Sequence, residues 1–264
     1  MESLLLWEGS LDNGRIREVF NVQAVQASRL LSSFAEHYKD MLYRPSAHAP
    51  IQATSAFQAK LGAATPDEYL RLLQSAGNQK ATEHIEDARL DFTSASAAIF
   101  AAAVQACRQR CGLRIFYRSM NDPKGRERLV FPHTIVRVAR RWHLRAWCSM
   151  REEFRDFTVG RIAHAALDDS PSPATASEDI DWVTTIELKI VAHPNLNTEQ
   201  EMMIRSEYFG GMTARTQKVR RCLVAYTLQD LRIAIDVQTQ KPPEYQLALF
   251  NVANIEPELL GFQR

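Results

Sequence analysis

Arginine is concentrated in the middle of this chain, and binding chemistry is first visible there. Between Arg108 and Arg161 stand fourteen Lys or Arg against five Asp or Glu, and thirteen of the fourteen are Arg. A guanidinium fork grips phosphate or carboxylate through two parallel hydrogen bonds, which a Lys ammonium cannot do. Tyr117, Arg118, Ser119, Arg145, Arg155 and Arg161 fall in strand-like segments or at their ends, so several can converge on one pocket. The same charges also fit a solvated basic face. The net charge of +1 over 264 residues hides this local surplus.

A second row of polar side chains lies near the start. Gln23, Gln26, Arg29 and Ser33 recur at helical spacing, with Ser28 among them. Gln bonds adenine bidentately, Arg bonds guanine, and Ser reaches bases or phosphates. Ala27, Leu31, Phe34 and Tyr38 form the opposite, apolar stripe of the same helix. Asp12 offers an N-cap to a preceding helix carrying Ile16, Val19 and Phe20, and Asn21-Val22 makes a tight turn between the two. Two short helices joined this way fit a helix-turn-helix; they also fit an ordinary helical hairpin with a polar outer face. Leu42-Tyr43-Arg44 and Ile51-Gln52-Ala53 read as a two-stranded wing that brings Arg44 and His48 toward a nucleic-acid backbone.

Other chemistries are not legible. There is no Gly-rich phosphate loop, no HExxH and no GxSxG, so no catalytic residues are expected and the chain is read as a non-enzyme. Cys107, Cys111, Cys148 and Cys222 lack zinc-site spacing and are expected as buried thiols in a reducing compartment, with no metal and no cofactor. Cys107 and Cys111, four apart, fit one helix face. The longest apolar stretch, Ala95 to Ala106, is shorter than the ~18 residues of a membrane span. A cytoplasmic protein with no membrane partner is the expectation.

The elements that must position these residues divide the chain. A short opening helix uses Leu4, Leu5 and Trp7; later helices are predicted over Asp67–Gln74 and Ser96–Arg110. Period-two runs follow at Leu113–Tyr117, Glu127–Phe131, Thr134–Val138, Trp142–Cys148 and Phe154–Val159, with a turn over Asn121–Gly125. Five short strands with tight turns suggest a small bent sheet or barrel. Residues 168–179 are acidic and rich in Pro and Ser, which reads as a linker. The division is therefore 1–65 for DNA binding, 66–110 as a helical bridge, 111–167 for ligand sensing, 168–179 as linker and 180–264 as a C-terminal domain. The bridge is the expected transmission element between wing and pocket.

The middle unit resembles the WYL domain of bacterial transcriptional regulators. The resemblance rests on Tyr117-Arg118-Ser119, Pro132-His133, Trp142-His143-Leu144-Arg145-Ala146-Trp147, and the run from Phe154 through Arg155 and Phe157 to Arg161-Ile162, all in family order. His143 replaces the Tyr of the namesake triplet. The block Gln23–Leu31 resembles the family's recognition helix. Trp182, Val191–Leu196, Gln200 and Arg220–Tyr226 resemble the extension that follows many WYL domains. This layout is most like the BrxR/CapW regulators, which sit beside phage-defence operons such as BREX and CBASS. The resemblance implies an α+β chain: a winged helix-turn-helix, a central Sm/SH3-like small β-barrel and a C-terminal α/β extension for dimerisation. It implies a homodimeric repressor on an inverted-repeat operator in double-stranded DNA. It also implies an anionic ligand, nucleotide-like or a nucleic-acid fragment, held by Tyr117, Ser119, His133, His143, Arg145, Arg155 and Arg161. An activator, or an accessory factor gripping single-stranded nucleic acid through the basic middle unit, is the alternative.

Overall fold

The computed structural model describes all residues except 47–48, 61–64, 77–84, 86, 90–92, 94, 139–140 and 261–264. His48 and the middle of the expected bridge, from residue 77 to 94 with a few exceptions, fall outside the described residues. The chain forms two compact units, Met1–Leu90 and Asp91–Arg264.

In the first unit, α1 (Glu2–Glu8) stops at Gly9, whose left-handed φ of 74° suits a residue without a Cβ. A short strand, β1 (Ser10–Leu11), leads to α2 (Asn13–Phe20). The Asp12 carboxylate caps α2 by accepting from the Arg15 N–H at 2.7 Å. Asn21 ends that helix in the left-handed region, with φ 51° and ψ 46°, and the chain turns into α3 (Ala24–His37). The wing comes next as the expected strands β2 (Leu42–Tyr43) and β3 (Ile51–Ala53), paired antiparallel. β1 pairs with the other edge of β3, so the wing is a three-stranded sheet. Thr65 caps α4 (Pro66–Ser75), with Pro66 in its first turn where its missing N–H costs nothing. Leu4, Leu5, Leu11, Ile16, Ala27 and Leu73 fill the core. Trp7, expected inside, is 40% exposed; Leu4 and Leu5 alone anchor that turn of α1 fully.

In the second unit, α5 (Ala97–Gln109) precedes an antiparallel sheet. Its strands are β4 (Cys111–Ser119), β5 (Asp122–Val138), β6 (Arg141–Cys148), β7 (Glu153–Thr158) and β8 (Ile162–Pro171). Two of the expected strands are one: β5 runs continuously through Pro132, pairing with β4 up to Val130 and with β6 from Val130 onward. A bulge at Pro132–Thr134, where the missing proline N–H interrupts the ladder, lies within the segment that pairs with β6. The turn between β4 and β5 is tighter than expected, and Gly125 lies within β5 at φ 79°, where a Cβ would sit 2.9 Å from the Tyr117 carbonyl.

The expected barrel does not form. Strand order is β7-β6-β5-β4-β8, and the sheet stays open because β7 and β8 are joined by a 3-10 turn, Val159–Arg161, without pairing to each other. The expected linker is also corrected at its start, since β8 carries the chain to Pro171 and Asp168 lies opposite Gly112 in its register. Leu113, Ile115, Val130, Leu144 and Ala146 pack with Ala103 and Ala106 of α5. Of the four free thiols only Cys148 is fully buried, and Cys111 opens β4, so it does not share a helix face with Cys107.

The unit continues with α6 (Ile180–Val183), β9 (Thr185–Ala192), α7 (Thr198–Phe209), β10 (Ala214–Arg220), α8 (Val224–Asp230), β11 (Ile233–Ala234) and β12 (Leu247–Leu249). These strands form a second sheet, β10-β9-β12-β11, with β11 parallel to β12. Asn197 and Gln200 close a capping box on α7. Leu188, Ile190, Ile204, Leu228 and Leu247 form its core.

Candidate DNA-binding surface and anion site

α3 turns one side inward and one outward, as its sequence period requires. Ala27 and Tyr38 are buried and Leu31 and Phe34 half-buried, while Gln26, Ser28 and Arg29 are exposed. Gln23, at the N-cap, is exposed too, and Ser33 is exposed one turn beyond Arg29. Ser28 has an internal role as well: the Asn13 carboxamide donates to its Oγ at 2.8 Å and to the Ala24 carbonyl at 2.9 Å, fixing α3 against α2. Arg29 and Arg44 are exposed and form no ion pair among the described residues. Arg15 is spent internally, gripping Glu8 and Glu18, while the Tyr69 hydroxyl donates to Glu8 at 2.8 Å. This network ties α1, α2 and α4 together and leaves the outer row of α3 open. An apolar groove of ≈ 840 Å³ lined by Leu6, Phe20, Leu30, Phe34 and Leu72 also belongs to this unit, and no Lys or Arg is among its described lining residues.

The second surface is one face of the open sheet. Along β6, Leu144, Ala146 and Cys148 point into the core shared with α5, so His143, Arg145 and Trp147 point the other way. Arg145 is buried; its Nε donates to Asp179 at 2.7 Å and its second amine to the other Asp179 oxygen at 2.8 Å. A weaker bond reaches Asp156, the register neighbour on β7, at 3.4 Å. His133 approaches the same Asp179 carboxylate through Nε2 at 3.1 Å and lies edge-on to Trp182. Burial by itself would raise the Asp179 carboxyl, but its bonds to Arg145 and His133 outweigh that and hold it down, at about 2. Burial pushes Asp156 upward, only partly countered by Arg145, so the two carboxyls are driven apart.

His143 is buried with its ring 4.8 Å from that of Tyr226, and its Nδ1 has no hydrogen-bond partner among the described residues. Burial first, then the nearby Arg141 and Arg161, lower it to about 4, so the ring is neutral at pH 7. Tyr226 donates toward Asp156 at 3.4 Å, and its hydroxyl is pushed up by burial, then by Asp156 and by Tyr117. Tyr117 accepts from the Thr158 N–H at 3.2 Å.

Of the seven expected ligand residues, the structure joins His133 and Arg145 on Asp179 and sets His143 against Tyr226 with the Arg161 charge nearby, while the Tyr117 ring packs edge-on to Phe157 in the core shared with α5. Ser119 lies at the β4–β5 turn, accepting from the Asp122 N–H. Arg155 is exposed and paired with Glu153. Asp179, Trp182 and Tyr226 were not among the expected site residues. The cap signal at Asp179, which accepts from the Trp182 N–H, is the feature that could have separated it from a solvated linker. Among the described residues no cluster of His, Cys, Asp or Glu could hold a metal, and no helix is long and apolar enough to cross a membrane.

A helix-turn-helix with a wing, joined in sequence to a WYL sheet and an α/β module, defines a transcriptional regulator of the WYL class. Three family models match in that order: the BrxR transcriptional regulator winged helix-turn-helix domain over residues 1–75, the WYL domain over 98–167, and the BrxR transcriptional regulator C-terminal dimerization domain over 185–255. In the order and content of its domains the chain is similar to the WYL-domain regulators of the BrxR/CapW type. It is 29% identical to the DNA-binding transcriptional repressor CapW of Escherichia coli (strain KTE188), covering 94% of this chain and 85% of that one. Identity is 28% to the CapW repressor of Pseudomonas aeruginosa, with the same coverage. It is 26% to that of Stenotrophomonas maltophilia, covering 96% of this chain and 87% of the other.

Proposed function

We propose that this chain is a DNA-binding transcriptional repressor that acts as a homodimer on an inverted-repeat operator, guards a phage-defence operon and is relieved by an anionic, nucleotide-like effector. The observation that carries the DNA half is the outer row of α3: Gln23, Gln26 and Arg29 are exposed at one helix, and Arg29 is unspent on any acid among the described residues. Arg44 on the wing is likewise free to reach a phosphate. Base edges are read by the helix, and the wing fixes register. The C-terminal dimerization model supports two copies, and two copies present two recognition helices to two half-sites.

The effector half rests on the sheet face. Arg145 and Arg161 supply charge-assisted donors, His133 a ring nitrogen, and the Nδ1 of His143, unpartnered among the described residues, a further polar atom. An effector relieves repression only if it binds the DNA-free arrangement more tightly than the operator-bound one. A gel shift with DNA from the protein's own upstream region tests the reading. A shift that an anionic effector reverses supports it; no shift at low salt with folded protein sinks the DNA-binding claim. Replacing Arg145 and Arg161 separates this reading from a single-strand-binding accessory factor, because only in the latter does nucleic-acid affinity itself collapse.

A further inference from the structure

Asp179 holds an unusual place in its stretch of chain. From Ser172 to Thr184, between the last strand of the WYL sheet and β9, it is the one buried residue, so the deepest side chain of this connection is a carboxylate and not an apolar group. Ile180 and Val183, the apolar residues of α6 that could have docked instead, are 64% and 47% exposed. The carboxylate presents two oxygens to the fork of Arg145 and one of them to His133. That is the geometry in which a phosphoryl group is held. A buried ion pair gains little net stability, because desolvation offsets most of the Coulomb attraction. Exchanging one oxyanion for another on Arg145 keeps the guanidinium neutralised and lets Asp179 return to water.

The segment is also tied to the C-terminal module. The Arg220 guanidinium lies 4.2 Å from the Trp182 ring and donates to the Trp182 carbonyl. The Arg221 N–H donates to the Thr184 carbonyl at 2.9 Å, and its side chain pairs with Asp181 at 3.0 Å. α6 therefore grips the edge strand of the dimerization module on one side and the WYL sheet, through Asp179 and Trp182, on the other.

We infer that Asp179 is an internal occupant of the effector's oxyanion seat: a phosphoryl group enters by replacing its carboxylate on Arg145 and His133, and so frees α6 from the WYL sheet. This rests on the anion-sensing reading above and names its ligand class and its competitor. The effector's affinity is set against a covalently attached rival, and the displaced rival is the element that carries the signal toward the dimerization module.

The test titrates inorganic phosphate into the full chain. AMP and a 5′-phosphorylated dinucleotide run in parallel, to separate a free nucleotide from a nucleic-acid end. In the unmodified protein, hydrogen exchange of residues 177–184 rises as phosphate binds. In Asp179→Asn, verified as folded by its melting transition, the phosphate midpoint falls about tenfold, a modest competition of ~1.4 kcal/mol. Binding that leaves exchange at 177–184 unchanged overturns the displacement while leaving an anion site in place, whether or not the variant folds. Equal midpoints in the two folded proteins do the same. Failure of every probe to bind either protein removes both this inference and the anion-sensing reading.

Discussion

His143 and Tyr226 face each other ring to ring at 4.8 Å, one on the WYL sheet and the other near the start of α8. The contact holds the imidazole in a buried place beside Arg141 and Arg161, and both burial and those charges favour its neutral form. Its folded pKa of about 4 lies below the ordinary 6.5, so between these values the unfolded chain binds more protons than the folded one. The stability this group contributes is complete above pH 6.5 and is lost as pH falls toward 4. His143→Phe is therefore expected to flatten the fall in unfolding free energy across that window, measured by urea denaturation at several pH values. An unchanged slope counts against a buried neutral histidine.

Arg145 neutralises Asp179 and contacts Asp156 in a buried setting, and removing it strands their charge. Arg145→Ala is expected to cost about 3–5 kcal/mol, the usual penalty for breaking a buried pair from one side. Arg155→Ala, at an exposed pair on the same sheet, is expected within about 0.5 kcal/mol of the unmodified protein. Urea midpoints of the two variants check the contrast, and equal losses would contradict it.

That contrast shows where the sequence was readable and where it was not. The caps and turns of the first unit depend on neighbours in sequence: Asp12 bonds Arg15, and Asn21 bends the chain by its own φ, so both could be read directly. The WYL motifs likewise located β4, β6 and β7. The open sheet was less legible, because whether β7 meets β8 depends on how a three-residue turn aims two strands, and no residue type announces it. Arg145 and Arg155 look alike as letters on neighbouring strands. What separates them is an acid arriving from 34 residues away, at the end of a segment whose composition reads as solvent-exposed linker.

On α3, Gln26→Ala and Arg29→Ala are each expected to cost about 1–3 kcal/mol of operator affinity and to relax base preference at one position per half-site. Arg44→Ala is expected to weaken all sequences alike and to lower the salt dependence by about one ion. Fluorescence anisotropy on operator and scrambled duplexes over a salt series distinguishes the two patterns. A loss at Gln26 that is identical on both duplexes would move it from base reader to backbone contact.

Asp12→Ala removes the cap of α2 without touching the outer row of α3. A loss of about 0.5–2 kcal/mol in stability is expected from a missing N-cap. The melting transition of the full chain measures it; no loss would mean that packing of Ile16 and Val19 alone sets the start of that helix.

Two copies of this chain are proposed to hold DNA through α3. The most direct test is a titration of upstream DNA with folded protein at low salt, with the stoichiometry read from the mass of the complex by sedimentation. One duplex carrying two protomers is expected, with affinity lost when Arg29 is replaced. A complex of one protomer, or binding that is indifferent to Arg29 and Gln26 together, would contradict it.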